Sequence, residues 1–103
     1  MRYDDLPGAD LVLAGIRDVA LGVPSVEALL IEIAAPRLRF VGLDVPPIAP
    51  AAEAAELRLY AFLGASGALD AYSTYNALLR ELTSFGSAAE HRMGAELRAA
   101  EET

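Results

Sequence analysis

From Asp70 onward the chain keeps one helical stripe running for longer than a compact domain of 103 residues can readily cover. Tyr75, Leu78, Leu82, Phe85 and Ala89 recur at intervals of three and four residues, and Met93 and Leu97 continue the pattern more weakly. Without a break the segment exceeds 25 residues, or roughly 40 Å at 1.5 Å per residue. A bundle of helices of about 15 residues cannot bury all of that length. Gly86 and Gly94 interrupt the stripe. Each costs about 1 kcal/mol relative to alanine, and each marks either a bend or a place where another helix comes close.

The rest of the chain reads as shorter helices. Pro7 suits a first helical turn, Val12, Ile16 and Val19 share a face, and Gly22 is a natural C-terminal stop, giving a first helix over about 7–21. Ser25 is a good N-cap for a second helix with Val26, Leu29, Leu30 and Ile33 on one face. Pro36 should end or kink it, because proline has no amide hydrogen to donate. Arg37–Val41 then alternates like a strand but has no partner strand elsewhere in the sequence, so a separate short helix is favoured. Pro46, Pro47 and Pro50 define an extended connector. A third helix is expected from Pro50 to Leu63, with Ala54, Leu57, Tyr60 and Ala61 on its inner face and Glu53 and Glu56 outside. Gly64 to Gly67 forms a flexible turn, and the last helix starts near Leu69 or Asp70, with Asp70 as its cap. The expected fold is all-α, a small bundle of about four helices with a long C-terminal helix. Residues 1–103 form one domain, and 95–103 are either a frayed tail or a partner-binding extension.

Composition narrows the function classes. Hydrophobic residues make up 54% of the chain, much of it alanine, which favours closely packed helices. The formal charge is −7, with no run of Lys or Arg, so nucleic acid and anionic membrane are poor partners. Arg37 and Arg39 alone make a weak basic footprint. No cysteine is present, so disulfides and thiolate metal sites are excluded. The start, Met1-Arg2-Tyr3-Asp4-Asp5, is polar and acidic, and no run of about 18 apolar residues occurs. Those features give the expectation of a cytoplasmic protein, and the Ala- and Arg-rich coding bias suggests a bacterial one.

No residue set rises to a catalytic signature. His91 is the only histidine, adjacent to Glu90 and not spaced from it as a helical Glu-x-x-His ligand pair would be. His91-Arg92-Met93-Gly94 resembles in part the exposed-histidine segment of histidine phosphotransfer domains, which implies a phosphate-accepting helix. The glycine stands one position too close, however, the helical lysine is absent, and no further helix follows. An ordinary surface histidine is the reading adopted. Ser87 lies one turn before His91, yet nothing in the sequence supplies an orienting acid or an oxyanion hole. Gly64-Ala65-Ser66-Gly67 lacks the Lys-Ser/Thr ending of a phosphate loop.

Three functional classes remain. The first is a non-enzymatic protein acting through self-association, as a homodimer, or through a protein partner. Its expected interface is the last helix, at Phe85, Ala89, Met93 and Leu97. The second is a small-molecule-binding or enzymatic domain using the region Asp70–Asn76, with Tyr60, Tyr72, Tyr75 and Asn76 as ligand-binding residues. The third is an acidic regulatory or inhibitor subunit, motivated only by net charge. No catalytic residue, metal or cofactor is expected.

Overall fold

A computed structural model describes residues 3–49, 53–65, 67 and 70–102, which form four α-helices and no strand. The expected helix limits at Pro50 and Leu69, and Ser66 of the glycine turn, lie outside the described residues.

Helix α1 spans Ala9–Leu21, beginning two residues later than Pro7 because Gly8 takes the N-cap. It ends as the sequence predicts. Gly22 adopts φ 71°, its N–H reaches the Val19 carbonyl at 3.2 Å, and the Val23 N–H reaches Asp18 at 2.9 Å. That pair of bonds is a Schellman close, which satisfies carbonyls the helix would leave open.

Helix α2 spans Val26–Phe40. Its cap is Ser25, whose Oγ accepts from the Ala28 N–H at 3.0 Å and donates to the Asp18 carboxylate at 2.7 Å, fastening the end of α1 to the start of α2. The helix axis turns by 97° between the two. Gly15 sits where they touch. A Cβ there would stand 2.4 Å from Ile31 Cγ1 and 2.5 Å from the Glu27 carbonyl oxygen, so the backbone of α1 lies directly on α2.

The break expected at Pro36 does not occur; α2 continues through it. An interior proline costs about 3 kcal/mol through a lost hydrogen bond and a ring clash. Here the ring is exposed, while Ala35, Leu38 and Val41 around it are buried, and that burial holds the final turns in place. The segment taken for a separate short helix is therefore the last turn of α2.

Beyond it, residues 43–49 run without regular structure, as the prolines predict. Leu43 and Val45 point into the core and Asp44 outward. Arg39 holds the strap from the other side, donating to the Val45 and Pro46 carbonyls at 3.4 and 2.9 Å.

Helix α3 spans Ala55–Ala65 and corrects a second expectation. Its buried residues are Leu59 and Leu63, whereas Ala54, Leu57, Tyr60 and Ala61 are exposed. The helix is apolar on nearly every side, so periodicity alone could not say which face turns inward. Glu53 and Glu56 are exposed as expected.

Helix α4 spans Ala71–Glu101 without interruption at Gly86 or Gly94. Asp70 caps it, accepting from the Ser73 N–H at 3.0 Å and the Ser73 hydroxyl at 2.7 Å. Its 31 residues correspond to about 46 Å, most of the 53 Å long axis of the molecule, which measures 53 × 27 × 19 Å. The other three helices pack along its first two thirds. The core gathers Val12, Leu30, Ile31, Leu38, Leu59 and Phe85 around Tyr3, whose hydroxyl donates to the Val41 carbonyl at 2.8 Å. No single helix among the described residues is long and apolar enough to cross a membrane.

Candidate functional site

Phe85 and Ala89, expected at a partner interface, are fully buried inside this one chain. Phe85 meets Tyr3 edge-to-face, with ring centroids 6.2 Å apart and planes at 88°. Tyr3 was not a core candidate because the acidic residues after it make the start read as polar. Only its aromatic ring, followed by Leu6, hinted otherwise. Of the four expected interface residues, Met93 is half-buried against the core and Leu97 is 58% exposed. From Ala95 onward every described residue of α4 is exposed. The fading of the stripe after Gly94 thus marks where the bundle stops covering the helix.

Among the described residues, two ion pairs fasten α4 to the rest. The Arg92 guanidinium grips the Asp5 carboxylate through both nitrogens at 2.6 and 2.8 Å. That hydrogen bonding holds the Asp5 pKa down at about 2. Arg37 of α2 reaches Glu90 through Nε at 2.6 Å and Ser87 Oγ through Nη2 at 3.1 Å. Its hydrogen bond draws the Glu90 carboxyl below the ordinary carboxylate range. These contacts bear directly on catalysis. A serine oxygen that accepts from a guanidinium loses electron density, the opposite of what a nucleophile needs. Ser87 is therefore engaged in structure, and His91, beside it, is exposed. Arg37 and Arg39 make no basic patch, since one is paired with Glu90 and the other strapped to backbone carbonyls.

The tyrosine region is partly assembled. Tyr60 of α3 and Tyr75 of α4 meet edge-to-face at 5.9 Å and 76°. Tyr72, one turn earlier, is 66% exposed, and Asn76 donates its side-chain amide to the Tyr72 carbonyl at 3.0 Å. The rings thus pack on each other, and the Asn76 amide is turned to its own helix. The concavities lined by described residues lie elsewhere. One of about 390 Å³ lies at the α1–α2 corner beside Val23, Pro24 and Ile48, where Arg58 and Glu32 already pair at 2.9 Å. Another, of about 260 Å³, is an apolar groove between Ile33, Leu38, Leu79 and Leu82. Its volume falls below the 300–1,000 Å³ usual for a ligand site. Among the described residues no group of three or more His, Asp or Glu is placed to hold a metal.

What stands out instead is the outer side of α3. Leu57 is 63% exposed and Tyr60 46%, with Ala61 and Gly64 exposed between and beyond them. Residues 57, 60, 61 and 64 follow the spacing of one helical face, and none carries charge. Tyr75 of α4 packs its ring against Tyr60 at the edge of this face. The sequence places Leu57, Tyr60 and Ala61, with Ala54, on one apolar stripe, and Gly64 in the turn that follows. The structure turns that stripe to solvent.

No protein-family model matches the chain, and neither the curated proteins nor the solved structures give a match.

Proposed function

We propose that this chain is a non-enzymatic interaction module, acting through self-association or a protein partner. The observation that carries the reading is the outer face of α3, an apolar helix side left uncovered in the folded chain. Scattered exposed apolar residues are ordinary on any protein, but a contiguous helix face of them is characteristic of a surface that is covered in use. The bare end of α4 with Leu97 supports the same reading more weakly, since charged residues dominate there. The cytoplasmic, bacterial setting expected from the composition belongs to this proposal too. The experiment is the native mass of the untagged chain, at its natural level, in a gently prepared extract of the cells that make it. Migration well above the 10.9 kDa of one chain supports the reading, and migration as a single copy removes it.

A further inference from the structure

We infer that the groove between α2 and α4 binds a short linear acyl chain with a neutral carbonyl head, an amide or ester, whose oxygen accepts a hydrogen bond from Nη1 of Arg37. The inference goes beyond the interaction reading and does not depend on it. None of the four residues on the outer face of α3 lines this groove.

The walls are apolar and one end is not. Ile33 and Leu38 of α2 face Leu79 and Leu82 of α4 across about 260 Å³. Arg37 crosses Gly86 farther along both helices, so the guanidinium stands at one end of the groove. Among the described lining residues Arg37 carries the only charge, and Thr83 the only hydroxyl.

Two of the three guanidinium nitrogens hold Arg37 in place. Nε donates to Glu90 at 2.6 Å, and Nη2 donates to Glu90 at 3.3 Å and to Ser87 at 3.1 Å. Nη1 makes no hydrogen bond among the described residues. It lies 3.0 Å from the point that a Cβ of Gly86 would occupy, over a residue that itself lines the groove. A guanidinium already fixed by a carboxylate offers its remaining N–H groups in a set direction, so a ligand meets a donor that needs no further ordering.

Charge selects the head group. Glu90 already meets the charge of Arg37. A ligand carboxylate would have to share one guanidinium with Glu90, on a chain of net charge −7. A neutral carbonyl oxygen takes the Nη1 hydrogen bond without adding a second negative charge.

Volume selects the chain. An apolar cavity of about 150 Å³ accommodates benzene, with its six carbons. In proportion, the 260 Å³ of this groove takes about ten non-hydrogen atoms. Octanamide has that number, and octanoate is its charged counterpart of the same size. A ligand this small is expected to dissociate with a constant of about 0.1–1 mM.

The test is titration of the full chain at neutral pH with octanamide, up to about 2 mM, followed by NMR of the methyl groups. The expected result is saturable shifts at Ile33, Leu38, Leu79 and Leu82, with octanoate binding several-fold more weakly. Arg37→Met weakens octanamide binding about tenfold by removing the donor. Gly86→Ala, whose methyl displaces the guanidinium, weakens it too, and Gly94→Ala leaves it unchanged. Circular dichroism reports that the variants fold; should Arg37→Met not fold, Gly86→Ala carries the test. Absence of saturable shifts at those methyls overturns the inference. Octanoate binding as tightly as octanamide overturns the neutral head. Wild-type affinity in both Arg37→Met and Gly86→Ala overturns the role of Nη1 and leaves only apolar partition.

Discussion

A methyl group on Gly86 would stand 2.8 Å from both Cζ and Nε of Arg37, so α4 carries a glycine where a side chain of α2 crosses it. The close approach that the sequence suggested at Gly86 is real, but it is made by one guanidinium and not by a helix backbone.

That relationship makes Gly86→Ala a conditional substitution. Alanine gains about 0.5–1 kcal/mol over glycine in a helix interior. Here it also displaces Arg37 from Glu90 and Ser87, an exposed pairing whose loss offsets that gain. The net change in stability should be near zero, whereas the same substitution in an Arg37→Ala background should stabilise by the full 0.5–1 kcal/mol. Urea melts around the double-mutant cycle check this, and equal gains in both backgrounds would show the contact has no energetic weight. Gly94→Ala is the control. Its Cβ meets only Arg98 Nη1 at an ordinary 3.4 Å, and it should stabilise in both backgrounds.

Gly15→Ala should behave oppositely. Its Cβ meets the Glu27 carbonyl oxygen at 2.5 Å as well as Ile31, so the helices themselves must separate. The expected loss is about 1–3 kcal/mol by denaturant unfolding. Adding Ile31→Ala should not restore stability, because the carbonyl clash remains. Recovery in the double variant would mean the side chain alone sets the spacing.

Phe85→Ala should cost about 3–5 kcal/mol, a large share of the 5–15 kcal/mol of a typical domain. The ring is fully buried against Tyr3. Leu97→Ala, in the exposed last turns of the same helix, should stay within about 0.5 kcal/mol. Thermal melts of the two variants side by side would test the assignment of one to the core and the other to solvent.

Acid should loosen the ties to α4. Asp5 has its pKa lowered from 3.8 to about 2 by the Arg92 guanidinium, and Glu90 is lowered by Arg37. A carboxyl whose folded pKa is depressed contributes stability above its unfolded pKa and loses it as pH falls through the folded one. The Asp5 contribution is therefore complete above about pH 4 and gone near pH 2. Arg92→Met should flatten the fall in melting temperature over that interval and leave the slope above pH 5 unchanged. An identical acid slope in wild type and variant would remove the pair from the account.

Much of the architecture was legible because it depends on local physics. Ser25, Asp70 and Gly22 do in the structure what their side chains or backbone freedom dictate, independent of any neighbour. Pro36 misled because the local cost of an interior proline was outweighed by burial of Ala35, Leu38 and Val41, which no local reading can see. Leu57 and Tyr60 misled for a different reason. A helix with apolar residues all round has no preferred inner face until its neighbours choose one, and the neighbours chose Leu59 and Leu63. Phe85 reads as partner-facing in sequence because Tyr3, the ring that meets it, comes from the far end of the chain. The same residues that blurred the fold, once placed, define the candidate surface.

The bidentate grip of Arg92 on Asp5 joins residues separated by 87 positions. A ribosome adding about 5–20 residues per second needs on the order of 4–17 s to make that intervening chain. Throughout that interval Tyr3 and its neighbours wait without the helix that shelters them. The α1–α2 corner, held by local contacts at Gly15 and Ser25, is the part able to form during the delay, and closure of the domain is an event of late translation.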